Sequence, residues 1–131
     1  MAKTITFVTN QYRCDRIICA GRSVADATNT ELTVVGVLDS EYELNPQAID
    51  YLFNLSKQNK AVMRLVFSED KMSVLSDIVG KHDSQYIITG MPSSNQSVLY
   101  GLWKENKNKS FYVVDTTGEL VEVAKETARA R

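Results

Sequence analysis

The chain has 131 residues, with 15 Lys+Arg against 16 Asp+Glu, a formal net charge of −1 and 44% hydrophobic residues. That length fits one domain able to bury a core without disulfides or metals, and the balanced, dispersed charge argues against unspecific binding to nucleic acid or anionic lipid. The longest apolar runs, such as Leu32 to Leu38, are too short to cross a bilayer as helices, and Met1 to Asn10 lacks a cleavable signal pattern, so a cytoplasmic protein off the membrane is expected.

Lys3 to Thr9 (KTITFVT) is short, β-branched and aromatic, and the polar Asn10-Gln11-Tyr12-Arg13 follows it, which predicts a first strand ending in a turn. Cys14, Ile17, Ile18, Gly21, Val24, Ala25 and Thr28 recur at three- and four-residue steps and predict a helix over about 13–28. Glu31 to Leu38 is nearly continuously apolar in its second half, as a parallel strand covered on both faces requires. Asn45-Pro46 pairs a capping side chain with a residue that has no N–H to lose, so a second helix starts there and ends near Asn59. Ile49, Leu52, Phe53 and Ser56 form its expected inward stripe.

Ala61 to Phe67 is the third strand, and Ser68-Glu69-Asp70 caps a third helix whose Met72, Leu75, Ile78, Val79 and His82 are expected to face inward. Gln85 to Thr89 is strand four. Gly90 to Gln96 is a loop by composition, Val98, Leu99, Leu102 and Trp103 keep helical spacing, and Lys104 to Lys109 reads as a solvated end. Ser110 to Asp115 is strand five. Thr116-Thr117-Gly118 then predicts a hairpin and an antiparallel return strand over 119–123, preferred to the rival helix over 119–128 that the spacing of Leu120, Val123 and Ala124 also allows.

Strands alternating with helices over short connections imply right-handed crossovers and a three-layer α/β sandwich around a five-stranded parallel sheet, here of order 3-2-1-4-5, with the return strand added. One domain is expected, its core over 3–115 and its hairpin and tail over 116–131, since no repeat or Gly/Ser/Pro-rich linker interrupts the chain. Ligands of such sheets sit beyond the strand carboxyl ends where the order reverses, between strands one and four, so residues 9–14, 37–40 and 90–97 should meet at one crevice.

Phe7-Val8-Thr9-Asn10-Gln11, Cys14-Asp15-Arg16-Ile17-Ile18, Gly21-Arg22-Ser23-Val24-Ala25-Asp26, Leu32-Thr33-Val34-Val35-Gly36-Val37 and Ile87-Ile88-Thr89-Gly90 together resemble the universal stress protein (UspA-like) family, and within it the branch found as a domain of KdpD histidine kinases. The resemblance spans about residues 3–115 and implies an adenine nucleotide alpha hydrolase-like fold. It also implies adenine against the end of strand two and phosphates in a G-x2-G-x9-G-[ST] loop, where glycines admit backbone N–H groups and a helix N-terminus adds positive charge. Gly90 matches the first glycine, Ser93 replaces the second, and Gln96-Ser97 stands for the closing pair after a shorter loop; Asn10 stands where ATP-binding members commonly carry an acid. ATP, AMP, a cyclic dinucleotide, a smaller anion or no ligand are all compatible with that altered loop. Family members commonly pair through strand five, which the return strand would either cover or replace in the pairing.

Gly90, Ser93, Ser94 and Ser97 suit an anion cradle, and equally a capped turn opening the fourth helix. Cys14 lies on the apolar stripe and Cys19 on the opposite face; their five-residue separation on one helix, about 7.5 Å of rise, excludes a bridge and leaves two free thiols. His82, the one histidine, belongs at the amino-terminal edge of the sheet, so it cannot serve Cys14 as a base. Asp39, Glu41 and Glu43 read as a solvated loop without a His or Cys partner, and no metal is expected; Trp103 reads as core or interface. Residues 9–13 lack both the S-G-G-x-D-S loop of ATP pyrophosphatases and the acid pair of receiver domains, and no G-x-S-x-G, H-E-x-x-H or G-x4-G-K-[ST] pattern occurs. The expectation is a non-catalytic regulatory module whose crevice is formed by Thr9, Asn10, Gln11, Val37, Asp39, Gly90, Ser93 and Ser97, with an adenine nucleotide as ligand and a homodimer through the strand-five edge. The alternative is a ligand-free homodimer acting through a protein partner.

Overall fold

The computed structural model describes residues 2–8, 15–38, 46–68, 70–90, 106, 108–114 and 119–122. Within them the chain runs β1 (Lys3–Val8), α1 (Asp15–Thr28), β2 (Glu31–Leu38), α2 (Pro46–Gln58), β3 (Val62–Phe67), α3 (Lys71–Val79), β4 (Ser84–Gly90), β5 (Ser110–Val114) and β6 (Leu120–Glu122). The six strands form one sheet of order β3-β2-β1-β4-β5-β6, parallel except for β6. The expected order and the antiparallel return strand are both present. The expected fourth helix with Trp103, the acidic run 39–43 and Cys14 lie outside the described residues.

Strand alternation sends side chains to two covered faces, which is why the buried strands read as continuous apolar runs. Ile5, Phe7, Val35, Ile87 and Phe111 pack with Leu75, Ile78 and Val79 of α3 on one face. On the other, Val8 and Val34 pack with Ile18 of α1 and Leu52 of α2, while Val24 of α1 reaches Ile88 and Val114. Helices on both faces make three layers.

Local chemistry sets the helix ends. α1 and α2 both stop at residues with φ of 56°, Asn29 and Lys60. The chain then turns back, with Thr30 N–H donating to Ala25 O at 3.0 Å and Ala61 N–H to Ser56 O at 2.9 Å, which satisfies carbonyls the helices leave open. Asp70 caps α3 as expected, its carboxylate accepting from Ser73 N–H at 3.1 Å. α1 lies close on the sheet because Gly21 has no side chain: a Cβ there would stand 2.2 Å from Thr6 Oγ1. Arg22 fastens α1 to the end of α2, donating to Asn59 O at 2.7 Å while pairing with Asp26 at 2.8 Å.

Three expectations are corrected. Phe53 does not face inward; it is 54% exposed, whereas Leu52 and Ser56 are buried. α2 covers the edge strand β3, so among the described residues no element lies beyond its outer flank. His82 is exposed, because α3 ends at Val79 and His82 belongs to the turn before β4. The side chain of Met72, from the same expected stripe, lies outside the description. Lys109 is not solvated: it is 4% exposed, and its ammonium donates to Val79 O and Lys81 O at the carboxyl end of α3, where open carbonyls favour a cation.

Candidate functional site

In a parallel sheet the strand order reverses once, and here it does so at β1, whose neighbours β2 and β4 lead to opposite sides. The carboxyl ends of these three strands therefore frame the crevice expected from the sequence. Two of the eight expected site residues are described there, Val37 near the end of β2 and Gly90 at the end of β4. They flank the end of β1 and stand two strand spacings apart, about 9.6 Å. Thr9, Asn10, Gln11, Asp39, Ser93 and Ser97 lie outside the described residues.

The two described residues differ in what they can offer. Val37 is 1% exposed, its side chain absorbed by the core on the α3 face, so that side chain offers nothing to a ligand. Gly90 pairs with Val114 of β5, and a Cβ on it would meet Ile17 Cδ1 of α1 at 3.2 Å, tight enough to force that side chain aside. The glycine thus lets α1 approach the end of β4.

Beside Gly90 the structure adds a residue that pattern reading passed over. Thr89, paired in register with Val113, is 4% exposed, and its hydroxyl has no hydrogen-bond partner among the described residues. A buried hydroxyl left unpaired costs about 1–3 kcal/mol, so a threonine in an otherwise aliphatic strand end asks for an explanation. The sequence signal was available: Thr89 breaks the apolar run of Ile87-Ile88 immediately before the loop.

Groups with displaced titration lie elsewhere. Burial lowers the Lys109 ammonium, against the opposing charge of Asp83. Burial works to raise the Asp83 carboxyl, but the Lys3 charge, 3.6 Å away, and hydrogen bonding together hold it below its usual value. Burial, then the negative charge of Glu122 and the nearby Tyr86, raises the Tyr112 phenol. Asp83 and Lys109 belong to the amino-terminal edge of the sheet. Among the described residues, then, the carboxyl edge holds no shifted acid or base of the kind that general acid–base chemistry uses.

Two cavities also lie away from the crevice. One, of about 420 Å³, runs between the outer face of α1 and β6 and is lined by Asp15, Arg16, Cys19, Ala20, Ser23 and Leu120. Cys19 is a free, exposed thiol. The other, of about 130 Å³, opens at the amino-terminal edge among Lys3, Glu31, Arg64, Lys81 and Asp83 over an apolar floor that includes Ile5, Val35 and Ile78. Among the described residues no group of three or more His, Cys, Asp or Glu is placed to hold a metal ion, and no helix is long and apolar enough to cross a membrane.

No family model matches the sequence, and no curated protein matches it. Among solved structures, the chain is similar to that of a universal stress protein from Archaeoglobus fulgidus, with a TM-score of 0.62 over 88% of this chain and 93% of that one, at 12% identity. At that identity the likeness is one of fold, and the fold is universal stress protein-like.

Proposed function

We propose that this chain is a non-catalytic regulatory module of the universal stress protein type, of the KdpD-like branch, which receives an adenine nucleotide, ATP or AMP, without a metal at the carboxyl edge between β1 and β4. It would act in the cytoplasm. The observation that carries this reading is the strand-order reversal at β1, with Gly90 ending β4 beside the unpartnered Thr89 hydroxyl. The Gly90 main chain carries an N–H a ligand could meet, and the hydroxyl supplies a donor and acceptor with no partner among the described residues. The sequence places Thr9, Asn10, Gln11 and Asp39 after the neighbouring strands and Ser93 and Ser97 after Gly90, which suits a polar ligand with a phosphate. Regulation follows if the ligand favours one arrangement of these loops, and the shift is bounded by its preference for that arrangement.

The test is titration of the full chain with ATP, AMP and cyclic di-AMP, following Trp103 fluorescence and the melting temperature. At a ligand concentration one hundred times its Kd, binding stabilises by about 2.7 kcal/mol, which for a chain of this size raises Tm by roughly 10 °C. Gly90→Val should abolish the rise. No shift with any of the three at millimolar concentration refutes the nucleotide reading. The competing reading, a ligand-free homodimer acting through a partner, is favoured by the exposure of Phe53, Val62 and Phe67 around one edge of the sheet. The strand-five edge itself is taken by β6 over Tyr112 to Val114, so a dimer at that end of the sheet would have to form through β6.

A further inference from the structure

We infer that the β3 edge is a self-association surface, at which a second copy of this chain lays its own β3 antiparallel and continues the sheet across a two-fold axis. This goes beyond the nucleotide reading and is independent of it. The sheet ends laterally at β6 and at β3. β6 is three residues long and ends in Glu122. β3 is six residues long, pairs with β2 without a bulge, and contains no proline and one charge, Arg64. Proteins usually blunt such an edge with a bulge, a proline, a charge turned inward or a covering segment. Here the edge instead presents Val62, 58% exposed, and Phe67, 44% exposed, with Phe53 of α2 beside them.

The edge is complementary to itself in one register. Met63 and Leu65 pack on the α2 side and Val66 on the α3 side, so alternation turns Phe67 to the α2 side and Val62 and Arg64 to the α3 side. A two-fold axis normal to the sheet keeps like faces together, so it must pass through a residue, and near the strand centre that is Arg64 or Leu65. An axis at Arg64 would set two guanidinium groups directly opposite, which is unfavourable. An axis at Leu65 sets Met63 against Phe67 of the second copy, and Arg64 against Val66 of the second copy. The first pairing joins apolar surface and the second lays Val66 along the Arg64 stem, while the two Arg64 side chains become diagonal neighbours about 7–8 Å apart instead of standing directly opposite.

The helix layer fits the same axis. Leu52 of α2 would lie 3.7 Å from a Cβ on Gly36 of β2 and packs with Met63 and Leu65 of β3, which puts α2 over both strands. With strands about 4.8 Å apart, α2 and its copy come to lie about 10 Å apart, the separation at which helices pack. Asn59, which accepts the bond from Arg22, marks the flank of α2 nearest α1; Phe53 lies about 120° around the axis, beyond the buried Leu52 and Ser56, and so points toward the second copy. The exposed parts of Phe53, Val62 and Phe67 supply roughly 300 Å² of apolar surface per copy. A stable interface needs about 800 Å² per partner, so these three side chains cover less than half of it and the strand main chain and the outer flank of α2 would have to supply the rest.

Sedimentation equilibrium of the full chain should give twice the 14.7 kDa chain mass. Phe53→Lys with Phe67→Lys, both at exposed positions, should raise the dimer dissociation constant roughly a hundredfold with the circular dichroism spectrum unchanged. In a background with Cys14 and Cys19 changed to serine, Leu65→Cys should cross-link to a covalent dimer under mild oxidation. Val62→Cys should not, because the register places its copy about 20 Å away along the strand. A monomer at every concentration overturns the inference. So does a dimer that withstands the two lysines and gives no cross-link at Leu65→Cys, since that dimer must use another surface. Should the lysine variant fail to fold, the pair of cysteine variants decides by itself.

Discussion

Gly21→Ala is the substitution for which helix propensity and packing make opposite predictions. Position 21 lies mid-helix in α1, where alanine is favoured over glycine by about 1 kcal/mol. Against that, the added Cβ would sit 2.2 Å from Thr6 Oγ1 and 3.0 Å from Leu32 Cδ1, both on fully covered strand residues. Thr6 is β-branched and its hydroxyl position is fixed by the core, so relief needs an unfavourable rotamer or a shift of α1. Such overpacking costs about 1–3 kcal/mol, and a contact this short belongs at the upper end. The net expectation is a loss of about 2 kcal/mol, or roughly 8 °C in Tm, read by urea unfolding with an unchanged m-value. Thr6→Ala in the same chain removes the colliding atom and should recover most of the deficit, a coupling a double-mutant cycle measures directly. If Gly21→Ala alone stabilises the protein, the close approach of α1 to β1 is wrong.

Three further outcomes are expected. Thr89→Val exchanges an unpartnered buried hydroxyl for a methyl and should stabilise the ligand-free chain by about 1 kcal/mol in thermal or urea unfolding, while weakening any nucleotide that uses the hydroxyl. Lys109→Met deprives Val79 O and Lys81 O of their donor and should cost about 2 kcal/mol by urea unfolding; a neutral result would mean the buried ammonium costs as much as its bonds return. Asp83, whose carboxyl is held below its ordinary value, contributes stability that is present above pH 3.8 and lost as pH falls through the lower folded value. Lys3→Met should bring the carboxyl titration, followed by NMR, back toward the ordinary range, and an unmoved titration would show that Lys3 is not responsible.

Those parts of the fold that depend on what a residue does within its own element were legible in the sequence. Leu32 to Val37 is buried on both faces because β2 lies inside the sheet with helices above and below, and continuous apolarity is the direct trace of that position. Asp70 caps α3 by reaching its own backbone three residues on, and the expected return strand is present as β6, antiparallel to β5. Phe53 and Lys109 misled for the same reason. Helical spacing assigns Phe53 to the margin of an apolar stripe, but whether a margin is covered depends on the next element, and among the described residues none lies beyond β3. A lysine among Lys104 to Lys109 reads as solvated because lysine is seldom buried; the carbonyls that hold Lys109 come from a helix about thirty residues away.

The candidate site was legible as a place more than as a set of contacts. Alternating strands and helices determine where the strand order reverses, and that alone selects the ends of β1, β2 and β4. Periodicity, however, distinguishes buried from exposed and not satisfied from unsatisfied. Place along the strand alone marked Val37 as a site residue although the core takes its side chain, and the pattern passed over Thr89, whose buried hydroxyl has no partner among the described residues. An exposed aromatic on α2 and an unpaired hydroxyl at the end of β4 share a cause. Each is a group that the packing of the described residues leaves incomplete, and each is what the two proposals draw on, a second copy at one edge of the sheet and a ligand at the carboxyl ends of its strands. Because the two lie on different borders of the same rigid sheet, Phe67→Lys should leave nucleotide affinity within about twofold, and Thr89→Val should leave the dimer dissociation constant within the same margin. A larger cross-effect in fluorescence titration or sedimentation would show that the two borders are coupled.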